Sequence, residues 1–513
     1  MYPGLHARNT PDKPAVILAE SGETVTYRQL EDNSVALARV LYDAGLRPGD
    51  VVAVLSDNAA PVFDVYWAAH RSGLYITAIN HHLTAAEAAY IVKDSGAKAL
   101  IVSAALRDLA TDVTRELDPA TVLLAFGGQA PGFASYEDAL ATAGPPLEQQ
   151  PAGAVMLYSS GTTGFPKGVK PPLPQRNVDE PGDPIVALAS GVFGLSSSDV
   201  YLSPAPIYHA APLRWCGMIQ GLGGTVVLMT KFDPEATLKY IEKYRATAAQ
   251  MVPTMFVRLL KLDDGICDRY DLSSLRVLIH AAAPCPIDVK QAMIEWLGPI
   301  IYEYYSSTEA HGMTFINSED WLAHPGSVGR SVLGILHICD DDGNELPTGE
   351  IGTVYFEREQ LPFEYHNDPG KTAEAQHRGH PSWTTVGDLG HVDADGYLYL
   401  ADRKSFMIIS GGVNIYPQEA ENALALHPAV HDVAVIGVPH PEMGEEVKAV
   451  VQLAAGIAPS QDLATELINY TRDRIAHFKA PRSVDFVDDL PRTPTGKLVK
   501  NKIKEQFGTG PTT

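Results

Sequence analysis

Residues 159–169 read SSGTTGFPKGV and directly follow the apolar run AVMLY at 154–158. An apolar strand that feeds a loop of glycines and hydroxyls and ends in a lysine has the composition of a phosphate cradle. Small residues let backbone N–H groups approach an anion, and Ser159, Ser160, Thr162 and Thr163 add hydroxyl donors around Gly161 and Gly164. The P-loop of nucleotide hydrolases requires Gly-Lys-Ser/Thr at fixed spacing. Counted from Gly161, those places hold Pro166, Lys167 and Gly168. Proline offers no N–H, and no hydroxyl follows the lysine to hold magnesium, so GTPase or motor ATPase chemistry is excluded. What remains is a loop suited to gripping and releasing a polyphosphate, with Lys167 facing its charge.

The elements that must position this loop alternate between helix and strand. Thr26-Tyr27-Arg28-Gln29 has the capping-box form and opens a helix towards Gly45, after which VVAVLSDN reads as a buried strand. Thr84-Ala85-Ala86-Glu87 repeats the signal, with a helix ending near Gly96 and the strand KALIVSA beyond. Such alternation predicts an α/β fold, a large N-terminal domain of layered, mostly parallel sheets with helices. Residues 171–184, PPLPQRNVDEPGDP, are dense in proline and charge and predict an exposed loop. Beyond Arg403 the pattern restarts: a helix from Pro417 to about Leu426, the strands HDVAVIGV and VKAVVQL, and a helix across 462–475. The expected division is therefore 1–403 and 404–513, the second a smaller α+β domain.

Composition narrows the ligand classes. With 513 residues the chain exceeds one compact core, and its net charge of −23 argues against nucleic acid or an anionic membrane as the main partner. A site for an anionic ligand must then be locally cationic. No basic leader and no apolar run of roughly twenty residues is present, which predicts a cytoplasmic protein without a membrane span. The four cysteines, Cys216, Cys267, Cys285 and Cys339, are too scattered for a metal or disulfide framework and are expected as small apolar fillers.

Further motifs recur in a fixed order: YYSSTEA at 304–310, GDLG at 387–390, ADRKSFMIISGGVNIYPQE from 401, and PRTPTGKLVK at 491–500. With the phosphate loop, this series resembles the adenylate-forming superfamily of acyl-CoA synthetases, aryl-CoA ligases, luciferases and peptide-synthetase adenylation domains, over nearly the whole chain. The resemblance implies ATP, Mg2+ and CoA as reactants and cofactor. A carboxylate is a poor acyl donor, so these enzymes first make an acyl-adenylate, expel pyrophosphate, and let a thiol displace AMP. By resemblance, Lys497 bridges the substrate carboxylate and the α-phosphate, Thr308 bonds a phosphate oxygen, and Glu309 holds magnesium, a hard cation that prefers carboxylate and phosphate oxygens. Asp388 takes the ribose hydroxyls and Arg403 adds a ribose or phosphate contact. Tyr304 and Tyr305 belong to the nucleotide set, with adenine between Tyr305 and the small residues Ala281, Ala282 and Ala283. Ser405 is the hinge about which the C-terminal domain rotates, and Ser410, Gly411 and Gly412 line the pantetheine passage.

Three departures stand out: Ser306 replaces a glycine of the family pattern, Ser405 replaces aspartate or lysine, and KPPLPQRNV replaces a Thr-His-x-Asn stretch. His209, in PAPIYHAAP, falls where the family places a histidine or aromatic residue beside the acyl carboxylate. No aspartate occurs between Pro204 and Trp215, so an amino acid's ammonium group would lie uncompensated and amino acids are disfavoured as substrates. Trp215, Met218, Thr254 and Phe256 are the expected walls of an apolar acyl pocket. The expected activity is formation of acyl-CoA from a medium- or long-chain fatty acid. An aryl- or sterol-acid CoA ligase is the alternative, and a non-catalytic nucleotide- or acyl-binding relative the reading from another class. A homodimer is among the open oligomeric states.

Overall fold

Thr26 and Thr84 cap their helices as their spacing requires. The Thr26 side chain accepts from the Gln29 backbone while Gln29 reaches back, and Thr84 and Glu87 do the same. The helix Tyr27–Asp43 is followed by Gly45 in the left-handed region (φ 99°). The strands Val51–Leu55 and Tyr75–Ile79 are buried along their whole length, the pattern of a parallel sheet covered on both faces. The computed structural model describes residues 2–159, 166–182, 184–403, 406–411, 413–492 and 498–507. Within these ranges the side chains of Ser159, Pro184, Ile185, Leu188, Ala189, Asp264 and Arg403 are not described.

Among the described residues the N-terminal part holds two large sheets. A six-stranded sheet is parallel throughout, and a nine-stranded sheet is parallel through its centre with antiparallel strands at both ends. The alternation of helix and strand thus predicts both correctly. It does not predict the antiparallel sheet built from Ile335–Cys339, Gly352–Glu357, Asp388–Val392 and Leu398–Arg403. Most of those strands are joined by turns and irregular loops, with the short helix Pro369–Glu374 in the connection between the second and third, and no crossover helix enforces parallel pairing. The predicted helices and strands past residue 403 occur as Pro417–Ala425, Val430–His440, Gly444–Leu453 and Gln461–Arg472. The proline-rich segment 171–184 is irregular where described, but it is stitched to the fold: Ala152 N–H donates to the Arg176 carbonyl and Val178 N–H to the Gln150 carbonyl, both at 2.9 Å. No described helix is long and apolar enough to cross a membrane.

One buried carboxyl sets a pH dependence of folding. Asp64, on the helix Pro61–His70, is 3% exposed; its Oδ2 accepts from Asn33 Nδ2 (3.1 Å) and the Tyr136 hydroxyl (3.0 Å), while Oδ1 has no partner. Burial pushes its pKa up from 3.8 to about 7 despite both hydrogen bonds. The folded protein therefore keeps a proton that the unfolded chain releases first, and stability falls as pH rises from about 4 to about 7. Asp64→Asn is expected to be more stable than the parent by about 2–4 kcal/mol at pH 8, with the gain vanishing towards pH 4. Urea unfolding of both proteins across that range checks this, and parallel curves would refute it.

Candidate active site

A cavity of about 2850 Å3 is lined by residues of both parts of the chain. Single-ligand pockets are typically about 300–1,000 Å3, so this space suits several reactants together.

The phosphate loop connects two strands of a small antiparallel sheet. Ser159 pairs with Lys167 and Tyr158 with Gly168, and Glu364–Tyr365 completes the sheet beside Val169 and Lys170. Residues 160–165 lie outside the described residues, so the roles assigned to Ser160, Gly161, Thr162, Thr163 and Gly164 are not placed. Lys167 borders the cavity, its Nζ 5.6 Å from the centre of the Tyr365 ring. The Tyr365 hydroxyl donates to Glu309 Oε1 at 2.9 Å. One tyrosine therefore touches both the lysine and the carboxylate assigned to the phosphates.

Glu309 is 8% exposed and borders the cavity, as does Thr308. The turn before them is held by its own side chains: Ser306 Oγ donates to the Gly312 carbonyl (2.7 Å), and Ser307 Oγ bonds His311 Nδ1 (2.8 Å). The serine that replaces the family's glycine thus closes this turn. Ala310 (φ 51°) and Ala282 (φ 76°) adopt left-handed backbone without being glycine. Such conformations cost about 1–2 kcal/mol each and cluster at functional sites. Both alanines line the cavity.

Ala281, Ala282 and Ala283 leave the buried strand Val277–His280. Beneath them Lys290 Nζ lies 2.5 Å from Glu303 Oε2, a buried pair. Burial nonetheless raises the Glu303 pKa and keeps His280 neutral. Opposite, the Tyr305 hydroxyl donates to Asp388 Oδ2 at 2.7 Å. Asp388 is directly paired in register with Arg403. The strand pairing thus brings GDLG and the junction arginine side by side.

Tyr304 and Tyr305 point to opposite faces, as successive strand residues must. Tyr304 also borders the cavity, and its hydroxyl accepts from Trp215 Nε1 (3.3 Å), on the helix Ala210–Leu222. His209 is the N-cap of that helix, and its Nε2 is buried without a partner. Burial lowers its pKa to about 3, so the imidazole is neutral at physiological pH. Trp215, Met218 and Thr254 border the cavity. Phe256 does not: it is fully buried, with its ring centre 5.3 Å from that of His280 in the core. Helical periodicity turns Met255 and Val257 towards the cavity in its place.

Ser410 and Gly411 do not border the cavity. Ser410 pairs with Val413 and Gly444, and Gly411 N–H donates to the Met443 carbonyl (2.8 Å). Gly412, the hinge Ser405 and Lys497 lie outside the described residues. The residues flanking Lys497 are well anchored: Arg492 and Leu498 form an antiparallel bridge, and Lys500 Nζ meets Glu421 Oε1 at 2.8 Å in a buried pair.

The donor set fits the expected reactants. Among the described residues no cluster of three or more His, Cys, Asp or Glu could hold a metal ion. Magnesium bound by Glu309 would therefore draw its other ligands from phosphate and water, its usual preference. Tyr365 and Arg358, which donates to the Ala310 carbonyl (3.3 Å), escaped sequence analysis because no local motif marks them. Arg214 lies in PLRW at 212–215, just past the histidine motif, and no local motif marks it either.

Comparison with known proteins agrees with this geometry. Residues 5–366 match the family described as AMP-binding enzyme, and residues 419–497 its C-terminal domain. The chain is 32% identical to the fatty acid–[acyl-carrier-protein] ligase ScoC of Streptomyces coeruleorubidus, over 98% of this chain and 95% of that one. It is 34% identical to a feruloyl-CoA synthase of Amycolatopsis, over 99% of this chain and 98% of the other. Among solved structures, the amide bond synthetase McbA of Marinactinospora thermotolerans superimposes with a TM-score of 0.81 at 28% identity, covering 98% and 99% of the two chains. The chain belongs to the AMP-binding enzyme family and is an adenylate-forming acid–thiol ligase.

Proposed function

We propose that this protein activates a carboxylic acid of largely apolar body with ATP and passes the acyl group to CoA. The observation that carries the reading is the convergence of Lys167, Glu309 and Asp388 with the His209–Trp215 chamber on one cavity. Asp388, held by Tyr305, accepts from the ribose hydroxyls. Glu309 and Thr308 face the phosphates beside Lys167, and bound magnesium would offset the charge that builds as carboxylate approaches phosphate. His209, neutral and unpartnered at Nε2, contacts the reacting carboxylate without a fixed charge that would hold the product. Lys497 enters from the segment beyond Arg492 for the first half-reaction and withdraws for the second. That movement requires the chain to divide after residue 403, with Ser405 as the pivot.

A medium- or long-chain fatty acid fits the apolar lining. An aryl acid is the second reading, favoured by the aromatic wall in which Trp215 lies 5.3 Å from Phe193 and 6.2 Å from Tyr304 between ring centres. The deciding experiment is pyrophosphate release with ATP and magnesium across fatty, aryl, sterol and amino acids, each with and without CoA. We expect release with apolar acids, accelerated by CoA, and none with amino acids. Release that CoA does not accelerate would overturn the thiol assignment, and silence with every acid would favour a non-catalytic relative.

A further inference from the structure

Arg214 lies in the helix Ala210–Leu222, one turn past His209, and borders the same cavity as Trp215 and Met218. Several other cations around this cavity have hydrogen-bonding or ionic partners, while Lys167 has a ring contact with Tyr365. Lys290 meets Glu303, Lys500 meets Glu421, and Arg358 donates to the Ala310 carbonyl. Arg71, elsewhere in the interior, meets Glu31. Arg214 makes no hydrogen bond and no ion pair with any described residue. Burial lowers its pKa, and the carboxylate that acts on it, Glu309, does so from beyond ion-pair distance.

An arginine stays charged inside a protein and carries five donors in a planar fork, and Arg214, half-buried at the cavity edge, offers that fork to whatever enters. Its neighbourhood contains further unsatisfied groups. The Tyr208 hydroxyl, His209 Nε2 and Gln250 Oε1 are buried, border the cavity and have no partner. A simple fatty acid brings one polar group, the carboxylate to be activated. Once that carboxylate is joined to the α-phosphate, it has no free oxygen pair to offer a guanidinium fork. The expected engagement of Glu309 with magnesium would further remove the one carboxylate whose charge reaches Arg214.

We propose that Arg214 is a specificity residue that binds a second carboxylate on the acid substrate, so that the preferred acids are dicarboxylic with an apolar body between the two groups. The proposal rests on the acid-activating function proposed above and names the substrate class of that site. The guanidinium fork matches a carboxylate in bidentate fashion. It also supplies the local positive charge that a dianionic substrate needs in a protein of net charge −23.

The test compares straight-chain monocarboxylic acids with α,ω-dicarboxylic acids of the same lengths, in the parent, Arg214→Met and Arg214→Lys. The readouts are kcat/KM for adenylate formation and the thermal shift produced by each acid alone. We expect the parent to prefer a diacid of matching length by about 100-fold, Arg214→Met to abolish or reverse that preference, and Arg214→Lys to keep part of it. The diacid should raise the parent's melting temperature and not that of Arg214→Met. Equal losses for monoacids and diacids in Arg214→Met would assign the residue to the reacting carboxylate or the phosphates and overturn the proposal. A parent that activates monoacids and ignores diacids in both readouts would do the same. If no acid is activated but the Arg214-dependent thermal shift by the diacid is present, the second-carboxylate site stands while the catalytic reading fails.

Discussion

Lys497→Ala is expected to lower acyl-adenylate formation by about 1,000-fold, while CoA attack on supplied acyl-adenylate is far less affected. The two half-reactions differ in what they ask of a cation. In the first, a carboxylate must approach a triphosphate, and a positive charge between them is worth most where those charges meet. In the second, a thiol displaces AMP and no such approach occurs. The anchors beside Lys497 make the test clean: Val499 N–H donates to the Pro491 carbonyl at 2.8 Å, and Lys500 is tied to Glu421. Removing the amine should leave these contacts in place. Single-turnover assays of each half separately provide the measurement, and equal losses in both would show that Lys497 has a structural role.

Asp388→Ala is expected to raise the KM for ATP by about 100-fold or more. Each hydrogen bond from a ribose hydroxyl to a carboxylate contributes about 1.5–3 kcal/mol, and Asp388 has acceptor capacity for both hydroxyls. The carboxylate also accepts from the Tyr305 hydroxyl, so its loss could act by releasing that ring. Tyr305→Phe separates the two effects, because it removes the hydroxyl and keeps the ring. The expectation is a much smaller rise in KM for Tyr305→Phe than for Asp388→Ala. Similar rises in the two variants would make Asp388 a positioning residue for Tyr305.

The helices begun by Thr26 and Thr84, and the C-terminal elements beyond Arg403, were legible because they rest on local rules of capping and apolar periodicity. Glu309 and Asp388 were legible for a related reason, since short motifs place a given residue type on a given turn. Phe256 was misread because an apolar residue of an amphipathic helix can face the core or a cavity with the same periodicity. Tyr304 and Tyr305 both border the cavity, but the strand sends them to different partners, Trp215 for one and Asp388 for the other.

From its order of residues alone, this chain reveals its family and its reaction class, because the chemistry demands fixed residue types at short spacing. Which groups meet across the cavity depends on strand register and helix packing between distant segments. Tyr365 reaches Glu309 across 56 residues and Tyr305 reaches Asp388 across 83. The unpaired state of Arg214 is likewise invisible in PLRW, since a missing partner is a property of everything folded around a side chain. Local motifs therefore identify the reaction, while the assembled cavity selects the acid.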